Sequence, residues 1–567
     1  MNAFELFRRA LERKGDHAAL VTGVGGRRTQ LTFRELNAQV DSVAGQFAQS
    51  GLQPGDKVLL AVPLSIETFV VMLALLRTGM VIMLIEPAHG AAQVASILRS
   101  WPPAAIVASK SLLLLRHLVP ELRRIGRRFV VGHRSAGAMT LAFHVSPAER
   151  HDVMPRSAAD SAFLTFTSGS TGNPKPVLRT HGFLRQQLCV LDPVADMQDS
   201  DIDFVAMPMF VLFNLARGIT SIIPACDMKH PGRADPRIIL EQLRRDNATR
   251  IVASPALLER LAAYCLGRGQ CLSHMRRFST GGGPVSPDLP ARLCRIAPAA
   301  TVCMVYGSSE AEPIAALLAD EINPAAQERM RAGGGLLVGK PVPGCDVRII
   351  RTCPGTRLGP LAKETCAHLC CPPGSIGEII VSGKHVLTAY ADPARNGQSK
   401  IEIGNQIWHR TGDAGYLDAG GRLWLVGRCD AAVTDDLGTV YPFQVEYALS
   451  AIRGVRRAAL LARDRKRVLV LEMSGRDLRA ACRDLARCML EHHIEQVVTL
   501  TRIPLDKRHG AKIDYPALNK VLDGRWFAVR WRLATSLSRI VGGLRNLRRR
   551  AQNWPGSARS TTGRSAG

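Results

Sequence analysis

The chain has 567 residues, 46% hydrophobic and 22% charged. That composition excludes the disordered and fibrous classes, and the length exceeds one ordinary core, so two or more domains are expected. Lysine and arginine outnumber the acids 74 to 48, a net charge of +26, which invites a polyanionic partner such as a nucleotide or an anionic membrane; with no RNP, zinc-finger or basic-zipper signature, nucleic acid is the weakest choice.

The start, MNAFELFRRALERKGDHAAL, carries no long apolar core with a small-residue cleavage site. It reads as a helix, and a cytoplasmic chain is expected. The fourteen cysteines lack regular spacing and are expected to be reduced. In the cluster Cys353, Cys366, Cys370 and Cys371 no paired C-x-x-C spacing occurs, which favours a loop over a zinc site.

From Phe69, FVVMLALLRTGMVIMLIEP is the most apolar stretch, but Arg77 and Gly79 interrupt it. A spanning helix needs about 20 apolar residues, so the stretch predicts a buried helix, a glycine stop and a buried strand. Strand-like runs KVLLAVP (57–63), AAIVAS (104–109) and TRIVASP (249–255) lie between helical patterns such as DPRIILEQLRRDN (235–247). This alternation predicts α/β architecture with ligands beyond the carboxyl ends of parallel strands.

In FLTFTSGSTGNPKPVLRTHG (163–182), Phe163 to Phe166 read as a buried strand. Gly169 and Gly172 let backbone N–H groups converge, and Thr167, Ser168, Ser170 and Thr171 add hydroxyl donors ahead of Lys175. A Walker loop is excluded, because Pro174 and Pro176 flank the lysine and have no N–H to give. The residues alone leave a phosphate cradle and a polar turn both open.

Further on, STGGGP (279–284) clusters Gly281, Gly282 and Gly283. VYGSSEAEP (305–313) offers a flat ring at Tyr306 and a hard oxygen ligand at Glu310. By spacing alone, HRTGDAGYLDAGGRLWLVGR (409–428) is a hairpin with a polar turn. Beyond RLWLVGRCD (422–430), a helix and two short strands in EYALSAIRGVRRAALLARDRKRVLVLEM predict a small α+β domain behind a hinge. IPLDKRHGAKIDYPAL (503–518) places Lys512 in an exposed loop. From about Arg525 the chain turns to arginine and glycine with hardly an acid.

In this order the motifs resemble those of the adenylate-forming (AMP-binding) superfamily of acyl-CoA synthetases, nonribosomal adenylation domains and luciferases, over about residues 15–523. MPMFVLFNLARGITSIIPACDM (207–228), SPALLERLAAY (254–264), YGSSEAEPI and DKRHGAKI bring the resemblance closest to β-lactone synthetases of bacterial olefin biosynthesis and fatty-acyl ligases. It implies an α/β fold with a large N-terminal domain (1–428) of two sheet-based subdomains. A hinge near Asp430, a small mobile α+β domain (429–523) and a basic tail (524–567) would follow.

The resemblance also implies roles. Thr167, Ser168, Gly169, Ser170, Thr171, Gly172 and Lys175 would hold the phosphates of ATP, and Gly281, Gly282 and Gly283 would line the adenine pocket. Tyr306 would stack on adenine, followed by Gly307, Ser308 and Ser309; Glu310 would hold Mg2+. Asp413 would accept the ribose hydroxyls with Arg428 beside them, and Lys512 would place charge on the oxygens joining carboxylate to phosphate. Lys175, Glu310 and Lys512 are thus the expected catalytic set, acting on a fatty or 3-hydroxy fatty acid. For the acyl channel the candidates are Phe210, Val211 and Phe213, with Val211 where many relatives have histidine. Pro176 stands for a glycine and Ser309 for a threonine.

The second step stays open between β-lactone closure by the substrate's own hydroxyl, transfer to CoA and transfer to an acyl carrier. Asp435 and Asp436 are expected to repel CoA phosphates, which disfavours CoA. A reading from another class, a non-catalytic nucleotide- or lipid-binding relative, is opposed by the intact Glu310, Asp413, Arg428 and Lys512. In the tail, Leu533, Leu537, Ile540, Leu544 and Leu547 recur at helical spacing among arginines. That pattern leaves open an interfacial helix on the anionic inner face of a membrane and a helix packed on its own domain.

Overall fold

In the computed structural model the apolar run from Phe69 divides as its residues dictate. The helix Ile66–Arg77 is buried on nearly all sides, and Arg77 escapes the cost of a lone buried charge through an ion pair with Asp41 at 2.8 Å. Gly79 follows at φ +73°, the left-handed turn that only glycine adopts cheaply, and the buried strand Val81–Leu84 begins two residues later. The helix Phe33–Gln49 starts on a capping box, in which Thr32 and Glu35 satisfy each other's backbone N–H groups.

The structure describes residues 1–524 except 87–88, 133–134, 136, 145–150, 168–173, 229, 352–355, 451, 453, 474–484, 486–487, 490 and 507–511. The expected phosphate-loop residues Ser168, Gly169, Ser170, Thr171 and Gly172, and the tail's predicted helix, lie outside the described residues. Two compact units divide the chain: Met1–Ala431 with Asp506–Lys512, and Ala432–Leu505 with the residues from Ile513 on. Among the described residues no helix is long and apolar enough to cross a membrane.

The first unit holds two large sheets. One has seven strands in the order Met139–Thr140, Arg127–Val131, Ala105–Ser109, Lys57–Ala61, Val81–Leu84, Ser161–Thr167 and Lys175–Thr180. All its pairings are parallel except the last. As the edge strand, Lys175–Thr180 tolerates Pro176, whose missing N–H breaks no ladder. The register pairs Thr167 with Lys175, which sets Lys175 at the strand end opposite Thr167.

The other sheet has fourteen strands. Its parallel half runs through Ala18–Thr22, Thr220–Ile222, Ile202–Val205, Arg250–Ala253, Arg277–Gly281 and Thr301–Ser308. From Ala311–Leu318 onward it continues antiparallel, through Leu336–Pro341, Leu423–Arg428, Gln406–Leu417, Gly377–Ser382 and Asp346–Ile350. The parallel strands read as near-continuous apolar runs because both faces are covered.

The second unit packs helices on the three-stranded sheet Val455–Arg463, Lys466–Met473 and Gln496–Leu500, preceded by the hairpin Val433–Asp435 and Gly438–Val440. Here the structure corrects one electrostatic expectation. Asp435 does not present a free carboxylate, because the buried Arg467 donates to both of its oxygens, at 2.7 and 2.6 Å, and also to the carbonyls of Gly438 and His492. The guanidinium holds Asp435 below the usual carboxylate range, and its charge is answered within its own unit. Glu446 is half-buried, with the Tyr515 hydroxyl and the Leu460 N–H donating to one carboxylate oxygen. Burial nevertheless raises its carboxyl to about 7.

Candidate active site

Three groups of side chains gather where the parallel strands of the large sheet end. The first begins on the strand Thr301–Ser308. There the Tyr306 hydroxyl donates to Asp413 Oδ2 at 2.7 Å, and Arg428 Nη1 donates to the other oxygen, Oδ1, at 2.9 Å. Asp413 and Arg428 face each other across the hairpin Gln406–Leu417 and Leu423–Arg428, so the register fixes this ion pair. Gly412, at φ +69°, leaves room for it: a Cβ there would lie 2.8 Å from Arg428 Nη2. Burial, then the Asp413 carboxylate, pushes the Tyr306 hydroxyl well above its ordinary range. Burial works against Arg428, but Asp413 and Asp430 outweigh it and keep the guanidinium charged.

The second group surrounds Glu310. Its Oε1 accepts the Tyr390 hydroxyl at 2.8 Å, and its backbone N–H meets Ser308 Oγ at 3.3 Å. Lys175 Nζ and Lys400 Nζ approach the Tyr390 ring at 5.8 and 5.2 Å from its centroid, within cation–π range. Burial opposes the charge on Glu310, yet His409, the Tyr390 hydroxyl, the backbone and Lys400 together hold its carboxyl below the ordinary range. Burial lowers Lys175, which Glu310 opposes, and takes Lys400 down to about 7. Burial and then Lys400 lower His409, against the pull of Glu310. Lys400 also donates to the Leu387 carbonyl.

The third feature is an open cavity under the helix His181–Ala195, lined from Gly281, Gly282 and Gly307 to Arg250. A second cavity reaches toward Leu6 and Phe7 and shares Leu191, Phe210 and Glu312 with the first.

Of the predicted residues, the structure brings together Lys175 and Glu310, and separately Tyr306, Asp413 and Arg428. Ser309 gives its carbonyl to Arg179 Nη2 at 3.0 Å. Gly281 has a structural reason to lack a side chain, since a Cβ would stand 2.6 Å from the Val305 carbonyl; Gly282 turns at φ +78°, and Gly283 follows it. Phe210 lines both cavities and Phe213 the second. Val211 is fully buried in the core and is not among the lining residues of either. Thr167 ends its strand opposite Lys175. Asp430 lies in the turn Cys429–Ala431, its carboxylate 3.7 Å from Arg428 Nε. Lys512 closes a short loop, with its N–H on Asp506 Oδ1 at 3.1 Å.

Tyr390, Lys400 and His409 escaped the sequence reading, as did Glu312 in the cavity wall. They sit in no glycine-rich or paired-charge pattern, and Tyr390 meets Glu310 across 80 positions of chain. Lys400 opens the strand Lys400–Ile403, in which Glu402 is exposed, so nothing in the local sequence marks the lysine as buried.

Residues 7–391 match the AMP-binding enzyme family. The chain is 31% identical over 505 residues to an olefin beta-lactone synthetase of Xanthomonas campestris pv. campestris, covering 85% of this chain and 89% of that protein. It is 26% identical to a feruloyl-CoA synthase of an Amycolatopsis species, over 79% and 83% of the two chains. The solved structure of the amide bond synthetase McbA from Marinactinospora thermotolerans superposes with a TM-score of 0.74 at 23% identity, covering 91% of this chain and 99% of that one. The chain belongs to the AMP-binding enzyme family.

Proposed function

We propose that the protein activates a medium- to long-chain aliphatic acid with ATP, forming an acyl-adenylate and releasing pyrophosphate. The observation that carries this reading is the Tyr306–Asp413–Arg428 hydrogen-bond chain set at the same strand ends as Glu310, whose Oε1 accepts the Tyr390 hydroxyl, and an apolar cavity. Such strand ends are where α/β sheets bind ligands.

In the reaction a carboxylate oxygen of the acid attacks the α-phosphorus in line. The bond from that phosphorus to the bridging oxygen breaks, and pyrophosphate leaves with the electron pair; no proton need move. Lys175 and the loop from Thr167 to Gly172 hold the phosphates. Asp413 accepts the ribose hydroxyls, oriented by Arg428 and the Tyr306 hydroxyl, while the Tyr306 ring offers its face to adenine. Lys512, in the segment Asp506–Lys512 that groups with the first compact unit, supplies charge to the oxygens where it accumulates.

Magnesium is usually held by one or two carboxylates plus substrate phosphates rather than by an all-protein cage. Glu310 fits that use: it is ionised against burial, and among the described residues no cluster of three or more acids, histidines or cysteines forms a cage. Bound there, the ion would neutralise charge on the phosphates.

For the second step the likeness to a named olefin beta-lactone synthetase favours a 3-hydroxy fatty acid. Its hydroxyl oxygen attacks the acyl carbon, the bond to AMP breaks, and the proton passes to solvent. Transfer to CoA, or to an acyl carrier, is the competing second step, favoured by the likeness to a named CoA synthase. ATP–pyrophosphate exchange over a panel of plain and 3-hydroxy fatty acids tests the first step. Product analysis without CoA tests the second: AMP and a β-lactone are expected, and AMP turnover that appears only with CoA would replace lactone closure by thioester formation.

A further inference from the structure

The strand Ala105–Ser109 leaves the seven-stranded sheet at its carboxyl edge and passes into a short helical segment. Ser109 caps the helix Lys110–Leu113, its Oγ accepting the Leu112 N–H at 3.4 Å, and the 3-10 turn Leu114–His117 follows. Leu113, Val119, Leu122 and Ile125 fasten the segment to the core around Ile106 and Val130. The leucines between these anchors face outward: Leu114 is 54% exposed, Leu115 41% and Leu118 74%. Residues three apart eclipse one another in a 3-10 turn, and residues four apart are neighbours on a helical surface. Leu114 and Leu115 therefore both adjoin Leu118. A single exposed leucine needs no explanation, but three on one turn form a patch.

The surroundings of the patch carry one sign of charge. Residues 87–148 hold eight lysines and arginines against one acid, Glu121, and Arg99 already pairs with that acid. Lys110, His117, Arg123 and Arg124 are exposed on the same segment. Arg123 Nη2 donates to the His117 carbonyl at 3.0 Å, which lays its guanidinium against the leucine turn. A partner must therefore be apolar where it meets the leucines and anionic around them. The chain's own tail does not qualify, because residues 525–567 contain arginines and no acid. A second copy pairing through the same face would oppose like charges.

We propose that this turn docks the protein on an anionic lipid surface, with Leu114, Leu115 and Leu118 entering the headgroup layer and the surrounding cations meeting the lipid phosphates. Side chains this exposed stand out from the surface rather than line a groove, which suits a soft layer better than a folded partner. Shallow insertion of a few apolar side chains beside basic ones needs no spanning helix. The placement also bears on the site. The strand Ala105–Ser109 lies three strands from Ser161–Thr167, and the pairings between them are all parallel. Their carboxyl ends thus stand roughly 14 Å apart at about 4.8 Å per strand. A lipid surface under the leucine turn adjoins the sheet edge that carries Thr167 and Lys175. The docking itself does not depend on the adenylation reading.

The test is co-sedimentation of the full chain with vesicles of phosphatidylglycerol and phosphatidylcholine in equal parts, and with phosphatidylcholine alone. At about 0.1 M salt the wild type should bind the mixed vesicles and not the neutral ones, and binding should weaken as salt rises. Leu115→Ser combined with Leu118→Ser should lower the partition coefficient by about 10- to 30-fold, and Lys110→Gln combined with Arg124→Gln by about tenfold. All four positions are exposed, so an unfolding temperature matching the wild type reports a folded variant. Leu118→Trp keeps an apolar side chain suited to the interface and should bind at least as tightly as the wild type. Wild-type protein that stays in solution with the anionic vesicles overturns the proposal and leaves an acidic protein as the occupant. Unchanged binding by the folded leucine pair also overturns it, and assigns the membrane contact to the tail from Arg525. Equal binding to neutral vesicles, or weaker binding by Leu118→Trp, overturns it as well.

Discussion

Replacing Tyr390 by phenylalanine removes the hydroxyl alone. The ring stays, and with it the faces that Lys175 and Lys400 approach at 5.8 and 5.2 Å; the 2.8 Å hydrogen bond to Glu310 Oε1 is lost, with the hydroxyl's contact to Ser399. A hydrogen bond to a charged group is worth about 1.5–3 kcal/mol. If Tyr390 serves to hold Glu310 where the ATP phosphates and their cation meet it, that loss appears in the transition state as a roughly 10- to 150-fold fall in kcat/KM. The assay is ATP–pyrophosphate exchange at several magnesium concentrations. A misplaced Glu310 should raise the magnesium concentration for half-maximal rate, whereas a purely structural role for the tyrosine would lower thermal stability and leave that concentration alone. Tyr390→Leu, which also removes the ring, should cost more, because Lys175 then loses its cation–π neighbour. Exchange within twofold of wild type at every magnesium concentration for Tyr390→Phe would refute the positioning role.

Two further expectations concern other parts of the chain. Lys512→Ala should cut adenylation by about two to three orders of magnitude if the lysine stabilises charge in the transition state, while ATP binding persists; undiminished pyrophosphate exchange would remove Lys512 from the mechanism. Glu446 has a folded carboxyl raised to about 7, so the folded state binds the proton more tightly than the unfolded chain. Its penalty is absent below about pH 4.5 and grows as pH rises toward 7, reaching about 3 kcal/mol at most. Glu446→Gln should therefore flatten the loss of hydrogen-exchange protection in the strand Val455–Arg463 between pH 5 and pH 8; an unchanged slope would contradict the raised carboxyl.

Legibility in the sequence followed the range of the interactions. The helix, glycine stop and strand from residue 66 to 84 were plain because local apolarity and one left-handed glycine specify them. The pairing of Asp413 with Arg428 was carried by a motif whose hairpin register is itself local. Gly281 looked like an adenine-pocket residue, yet the Val305 carbonyl of the neighbouring strand already occupies the space a side chain would need. That contact exists only once the strands pair. Tyr390, Lys400 and His409 were invisible for the same reason: each acts through a partner brought close by sheet topology, and no spacing in the chain encodes it. Val211, chosen by its place after Pro208-Met209-Phe210, points into the core, because helical periodicity turns it away from the face that Phe210 presents to both cavities.

The correction at Asp435 bears on how the second half-reaction is chosen. Counted from the sequence, Asp435 and Asp436 form an acidic barrier to CoA. In the fold, Arg467 answers the first of them, leaving the exposed Asp436. One solvated charge acts with about 1 kcal/mol at 4 Å in water and is screened within roughly 8–10 Å, so repulsion of CoA is too weak to decide the acceptor. Proximity is the stronger term. A hydroxyl on the third carbon of the substrate is tethered to the acyl carbon it attacks, and well-oriented intramolecular groups reach effective concentrations of about 10⁵ M and above. Strain in a four-membered ring takes back much of that advantage. Even a remainder on the order of 1 M, several decades below that bound, exceeds any millimolar supply of a free thiol. Lactone closure therefore needs no device to exclude CoA, only a substrate that carries the hydroxyl and a site that keeps the adenylate from water while the ring forms.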